Sequence, residues 1–174
     1  MEKKEIIELL EENHQQLFDW LEQQPKEKWL FAPENKWTVG QHYLHLEKSL
    51  MLLNKALYYP RFVFQFKFGK NNRENRSYEY VVNNYQQKLL ENKEKARIFN
   101  KDLRVPEISE KEEIITILQI QSKKLQYKTN KISDKNLDEL LIPHPLMGKM
   151  TIREIIMWTA YHTEHHTKIL KEKY

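Results

Sequence analysis

Trp158-Thr-Ala-Tyr-His-Thr-Glu-His-His-Thr-Lys-Ile-Leu170 is the most informative stretch of this sequence. Together with the residues just before it, the stretch carries a stripe of positions spaced alternately by three and four: Ile152, Ile155, Thr159, His162, His166 and Ile169. This spacing predicts an amphipathic helix whose core-facing side changes from aliphatic side chains to imidazoles. A buried imidazole nitrogen needs a partner, and a metal ion is one partner that could serve.

The spacing of His162 and His166 places both imidazoles on one helix face, one turn apart. A third histidine, His45, lies far upstream in a second predicted helix. Two histidines from one helix and one from another can form a three-nitrogen site with an open coordination position, which is typical of catalytic metals. The alternative is a pair of buried histidines that hydrogen-bond to carboxylates or carbonyls.

The composition predicts a single, largely helical domain spanning residues 1–174. The chain is 40% hydrophobic and 31% charged, with only three Gly and six Pro residues, too few for a loop-rich or all-β protein. It contains no Cys, which excludes disulfides, Cys-ligated zinc and a Cys nucleophile.

The net charge of +4 does not indicate a nucleic-acid partner, because the basic and acidic residues are interleaved along the predicted helices. No apolar run approaches the roughly 18 residues of a membrane span, so we expect no membrane association. The N-terminal segment lacks the apolar core of a signal peptide. We therefore expect the protein to be cytoplasmic.

Helical periodicity and capping motifs divide the chain into five long helices. They are predicted at residues 2–24, 38–59, 78–99, about 109–131 and 151–174, with 132–150 as a connecting loop. Three capping boxes support their starts: Thr38 with Gln41, Ser109 with Glu112, and Thr151 with Glu154. The stripe of the third helix is Tyr78, Val82, Tyr85, Leu89, Ala96 and Phe99. This pattern predicts an all-α, antiparallel four-helix bundle with an extra helix or an extended arm between helices two and three.

Residues 61–77 interrupt the helical pattern. Phe62, Phe64, Phe66 and Phe68 alternate with other residues, and a period of two predicts an extended segment with one aromatic face. Such an arm could cover an open end of the bundle, form a pocket wall or make a dimer contact.

The remaining histidines receive weaker predictions. Periodicity favours His42 over His45 as the inward-facing residue of helix two. His14 is predicted to be a hydrogen-bonded core histidine, and His165 to flank the site or be partly exposed. His144, between two prolines, is predicted to lie in a loop.

Three motifs resemble the DinB/YfiT-like family of four-helix-bundle proteins. The first is Trp37-Thr38 with His45, inside Gln41-His-Tyr-Leu-His-Leu46, and the second is His162-Thr-Glu-His-His-Thr-Lys-Ile169, with Lys168 where the family often has Gln. The segment from His144 to Glu154 is similar to a pattern of one branch of that superfamily.

This resemblance implies that His45, His162 and His166 bind zinc or nickel, which favours His45 over His42. Characterised relatives include metal-dependent thiol transferases that use bacillithiol, mycothiol or glutathione, and others are described as metal hydrolases. The resemblance thus implies transfer of a small-molecule thiol to an electrophile. The alternatives are a metal-dependent hydrolase, or a non-catalytic metal- or ligand-binding bundle that forms a homodimer. Glu47 and Glu164 are candidate partners for the imidazole N–H groups.

Overall fold

A computed structural model of the chain describes residues 1–174, apart from the side chains of Ala96 and Phe99. Over these residues the fold is mostly helical, as predicted, with one short hairpin. The helices are α1 (Lys3–Glu22), α2 (Val39–Ala56), α3 (Arg61–Phe68), α4 (Tyr78–Glu91), α5 (Lys93–Phe99), α6 (Lys111–Lys131), α7 (Asp134–Glu139) and α8 (Ile152–Lys173), and the strands are β1 (Leu141–His144) and β2 (Gly148–Thr151). The antiparallel arrangement of a four-helix bundle stays a prediction.

The four long helices α1, α2, α6 and α8 form the body of the molecule. Helix α1 packs on α8 and α6, and α2 packs on α6 and α8. Two buried polar bonds tie these helices together: the Asn13 side chain donates to the Ala160 carbonyl, and the Tyr43 hydroxyl donates to the Leu17 carbonyl. Since α2 and α8 are neighbours, side chains from both helices can meet in one site.

Capping boxes begin the two helices that carry the histidines. The Thr38 hydroxyl accepts from the Gln41 amide, and the Gln41 side chain accepts from the Thr38 amide. Thr151 and Glu154 make the same reciprocal pair at the start of α8. Both boxes were predicted from the sequence and are confirmed.

The predicted capping box at Ser109 is wrong. The reciprocal bonds join Glu107 and Glu110 around a short 3₁₀ helix, and α6 begins at Lys111. Glu110 is fixed in this role because its carboxylate also accepts two hydrogen bonds from the Arg104 guanidinium.

The extended arm predicted at residues 61–77 is also wrong in its first half, because Arg61–Phe68 is a helix. An alternating run of phenylalanines also fits a helix. Phe62 and Phe66 are four residues apart, as are Phe64 and Phe68, and this spacing puts each pair on one helix face. Phe64 is buried at 4% exposure, whereas Phe66 on the opposite face is 91% exposed. The structure therefore contains the extra helix rather than the extended arm.

Two further segments differ from their predictions. The helix predicted at 78–99 is interrupted at Asn92, which separates α4 from α5. The Ala96 and Phe99 part of its predicted stripe lies outside the described side chains. The loop predicted at 132–150 contains α7 and the β1–β2 hairpin, in which His144 pairs with Gly148. Gly148 has a φ of 70°, a left-handed conformation that favours glycine.

Within the part of the chain that the structure describes, none of the helices combines the length and hydropathy needed to cross a membrane.

Candidate metal centre

Three histidines from α2 and α8 converge on one point. The Nε2 atom of His45 lies 3.0 Å from Nε2 of His162, which lies 3.1 Å from Nε2 of His166. His162 and His166 are buried, and His45 is half-buried. The structure thus brings together the three residues named from the sequence, and this group could hold a metal ion.

The donor set suits a divalent transition metal. Burial lowers the pKa of His45 to about 4 and those of His162 and His166 well below the ordinary value, and the neighbouring imidazoles lower the latter two further. At neutral pH all three rings are therefore uncharged, each with one nitrogen that carries no hydrogen, which is the form that binds metals. Two nitrogens on one tetrahedral zinc ion lie roughly 3.3 Å apart, for bonds of about 2.0–2.1 Å. The observed spacing is close to that value.

Aromatic rings and one amide hold the three imidazoles in place. The Trp158 ring stacks on His162, with centroids 4.6 Å apart and an interplanar angle of 18°. Trp37 lies parallel to His166 at 6.1 Å and tilted against His45 at 5.1 Å. The Asn100 side chain hydrogen-bonds to His45. Trp37 belongs to the motif quoted above, but nothing in the sequence indicated the roles of Asn100 and Trp158.

His42 and His45, the two histidines of α2, both face inward, so the sequence-based preference for one did not exclude the other. His42 is buried, and its Nδ1 atom lies 2.8 Å from Nδ1 of His166. Its Nε2 atom lies 3.0 Å from the Tyr174 hydroxyl oxygen. Tyr174 follows His166 by eight residues, a spacing that belongs to the same helical stripe, and this signal could have identified it.

A cavity of about 820 Å³ opens beside the three histidines. Aliphatic and aromatic side chains from α2, α3, α4, α8 and the hairpin form most of its wall, among them Leu52, Phe64, Leu89, Ile142 and Trp158. The charged residues that line it are Lys48, Lys67, Arg97 and Asp102. Its size and lining are those of a small-molecule site.

The fold and this geometry agree with a comparison against known protein families. Residues 9–170 match the DinB superfamily. The chain belongs to the DinB superfamily. No curated protein and no solved structure matches it.

In this DinB-superfamily protein, His144 does not lie in a loop as predicted but ends β1, with its buried ring on the cavity wall. Its Nδ1 atom accepts hydrogen bonds from the backbone amides of Leu146 and Met147, both at 3.1 Å. Burial lowers the pKa of His144 to about 4. The neutral ring must therefore carry its proton on Nε2. The ring meets Trp158 edge-on at 4.3 Å, and the Trp158 indole nitrogen is buried without a partner among the described residues.

The remaining candidates lie outside the three-nitrogen group. His165 is half-buried and lines the cavity, and burial lowers its pKa. His14 is a core histidine, as predicted, with its Nδ1 atom 2.7 Å from the Leu10 carbonyl oxygen. Neither glutamate predicted to orient the imidazoles does so among the described residues. Glu164 accepts from the Tyr78 hydroxyl, and Glu47 is buried without a bond to a histidine.

Proposed function

We propose that this protein is a metal-dependent enzyme that transfers a low-molecular-weight thiol to an electrophilic small molecule. His45, His162 and His166 would hold the ion, zinc or nickel. The observation that carries the proposal is the convergence of three neutral imidazole nitrogens on the wall of a cavity large enough for a small molecule. A divalent ion held there would lower the pKa of a thiol or water that reaches it and so supply a nucleophile at neutral pH.

The charge of the cavity favours an anionic co-substrate. Its lining contains three cationic side chains, Lys48, Lys67 and Arg97, and one carboxylate, that of Asp102. The charge of Arg97 is partly neutralised by its ion pair with Glu94. Thiols of the glutathione type carry carboxylates, which lysine ammonium groups would attract. Because the chain has no Cys, the reacting thiol must come from outside the protein.

The apolar wall supports an electrophile with a hydrophobic body. Leu52, Phe64 and Leu89 would contact that body and exclude water from the reacting atoms. The sulfur would bond to a carbon of the electrophile as a carbon–oxygen bond there breaks. Nε2 of His144 would donate to the oxygen that takes the electron pair, since the other nitrogen of this ring is already occupied by two backbone amides. His165, neutral at pH 7, would accept the proton that the incoming thiol loses.

The proposal is tested by incubating the zinc- or nickel-loaded protein with a panel of small thiols and a fluorogenic alkylating electrophile. We expect a thioether product, identified by mass spectrometry, that forms only with metal and is lost in His162→Ala. The matched control is His14→Gln, which changes a buried histidine outside the cluster. Metal binding without product from any thiol would overturn the transferase proposal. Metal-dependent ester or amide cleavage would replace it with a hydrolase.

A further inference from the structure

A chain of hydrogen bonds leads from the backbone to the candidate ligand His166. The Tyr174 hydroxyl lies 2.6 Å from the Trp37 carbonyl oxygen and 3.0 Å from Nε2 of His42. Nδ1 of His42 lies 2.8 Å from Nδ1 of His166. We call these four groups the Tyr174 relay.

The direction of every bond in the relay follows from its fixed end. A carbonyl oxygen can only accept, so the single hydroxyl hydrogen of Tyr174 is given to Trp37. Toward His42 the phenol oxygen can then only accept, and Nε2 of His42 must carry the proton. A neutral imidazole has one N–H, so Nδ1 of His42 is an acceptor and Nδ1 of His166 must donate to it.

The consequence for His166 is a defined tautomer. With its proton on Nδ1, the ring presents an unprotonated Nε2, the atom that lies 3.1 Å from Nε2 of His162 within the three-histidine group. Both imidazoles of the relay are buried, with His42 at 4% and His166 at 6% exposure, and burial favours the neutral form of each ring.

Ring packing keeps the relay in this geometry. The His42 and Tyr174 rings meet edge-to-face with centroids 5.3 Å apart, and Phe31 also packs edge-to-face with Tyr174, at 6.0 Å. Trp37 packs against both His42 and His166. The phenol oxygen can thus be removed while most of the ring contacts stay.

We propose that His42 and Tyr174 are positioning residues that hold His166 with its Nε2 lone pair directed into the cluster. Histidine ligands usually donate their second N–H to a carboxylate, a carbonyl or water, and the choice of that acceptor fixes the tautomer. Here the acceptor is a second imidazole, itself fixed by a phenol. The inference rests on the proposed metal site, but the tautomer it assigns exists in the metal-free protein.

The first test compares Tyr174→Phe with Tyr43→Phe. Both substitutions delete a phenol that donates to a backbone carbonyl at 2.6 Å, but Tyr43 lies outside the relay and bonds to Leu17. In the metal-free wild type, nitrogen-15 NMR should show His166 protonated on Nδ1 only. Tyr174→Phe should mix the two tautomers and weaken zinc affinity by about 10- to 100-fold, as is typical of lost outer hydrogen bonds. Tyr43→Phe should change neither.

The second test replaces His42. In His42→Asn the side-chain oxygen can take the place of Nδ1 and accept from His166, so zinc affinity should be largely retained. In His42→Leu no acceptor is present, and affinity should fall by about 10- to 100-fold. If His42 only fills space, the loss of its hydrogen-bond acceptor should not matter. Equal losses of zinc affinity in His42→Asn and His42→Leu would therefore overturn the proposal.

The outcomes separate the relay from the metal site. His166 protonated on Nε2 in the metal-free wild type would overturn the relay even if zinc binds. Unchanged tautomer and affinity in Tyr174→Phe would do the same. If the wild type shows the assigned tautomer and binds neither zinc nor nickel, the relay stands and the proposed function fails.

Discussion

At the scale of single residues, helical spacing identified His162 and His166, because both continue an apolar stripe. Periodicity alone favoured His42 on helix two, and His45 was identified only through the family resemblance. Two residues three apart differ by about 60° around a helix, and a core-facing stripe is wider than that. In the structure both side chains face inward but have different partners. His45 supplies one of the three clustered nitrogens, whereas His42 contacts the Nδ1 atom of His166.

The partners of side chains that act across long sequence separations could not be predicted from the sequence. Tyr174 reaches the Trp37 carbonyl over 137 residues, and the two backbone amides that fix His144 depend on a hairpin that was predicted as loop. Periodicity describes which face of an element a residue occupies, but it contains no information about which partner that face meets.

Gly40 illustrates a competition between local propensity and packing. Alanine is the better helix former by about 1 kcal/mol, yet a Cβ at this position would lie 2.7 Å from Pro106 Cγ and 2.7 Å from the Trp29 ring. Trp29 is fully buried, and its indole nitrogen donates to the Glu107 carbonyl, so it cannot move aside freely. We predict that Gly40→Ala destabilises the protein by about 1–3 kcal/mol, measured by urea unfolding. A variant as stable as the wild type would contradict this packing.

At the scale of elements, two of the three predicted capping boxes are confirmed, and each depends on one local interaction. The Thr38 and Thr151 capping boxes mark the starts of α2 and α8 because the bonds involve residues only three apart. The prediction for residues 61–68 failed because alternating phenylalanines fit a strand and a helix equally well. Burial of Phe64 on one face of α3 decides between them, and burial depends on the rest of the fold.

Helix α3 offers a matched pair of substitutions. Phe64 is 4% exposed and lines the cavity, whereas Phe66 is 91% exposed. Phe64→Ala should cost about 3–5 kcal/mol in the free energy of unfolding, and Phe66→Ala should stay within about 0.5 kcal/mol. Chemical denaturation of both variants provides the measurement. Equal effects would mean that this segment does not pack as an amphipathic helix.

At the scale of the whole molecule, composition and periodicity were sufficient for a mostly helical fold, and residues 9–170 match the DinB superfamily. The homodimer and the cytoplasmic location expected from the sequence stay predictions. A sequence pattern does not contain the volume between elements, and the cavity is lined by residues of six elements, α2, α3, α4, α5, β1 and α8, and of the loops between them.

Histidine burial should make the stability of the metal-free protein depend on pH. Burial lowers the pKa of His42 to about 3 and those of His45 and His144 to about 4, from 6.5. Below pH 6.5 the unfolded chain binds protons that the native state does not, so the free energy of unfolding falls as the pH falls. Each such histidine contributes up to about 1.4 kcal/mol per pH unit.

This dependence is measured by urea unfolding between pH 8 and pH 5 in the presence of a chelator. Most carboxylates stay ionised in that window, so the slope reports on the histidines. His144→Asn, which cannot titrate there, should reduce the slope by about one proton. A free energy of unfolding that stays constant from pH 8 to pH 5 would show that the cluster is not buried as described.

The most direct test of the central claim is elemental analysis of protein purified without a His tag or chelator, then reloaded with zinc or nickel. We predict about one ion per chain in the wild type and in a His14→Gln control, and none in His162→Ala or His166→Ala, with His45→Ala weakened or empty. Wild-type stoichiometry in both His162→Ala and His166→Ala, or no metal in the reloaded wild type, would contradict the account.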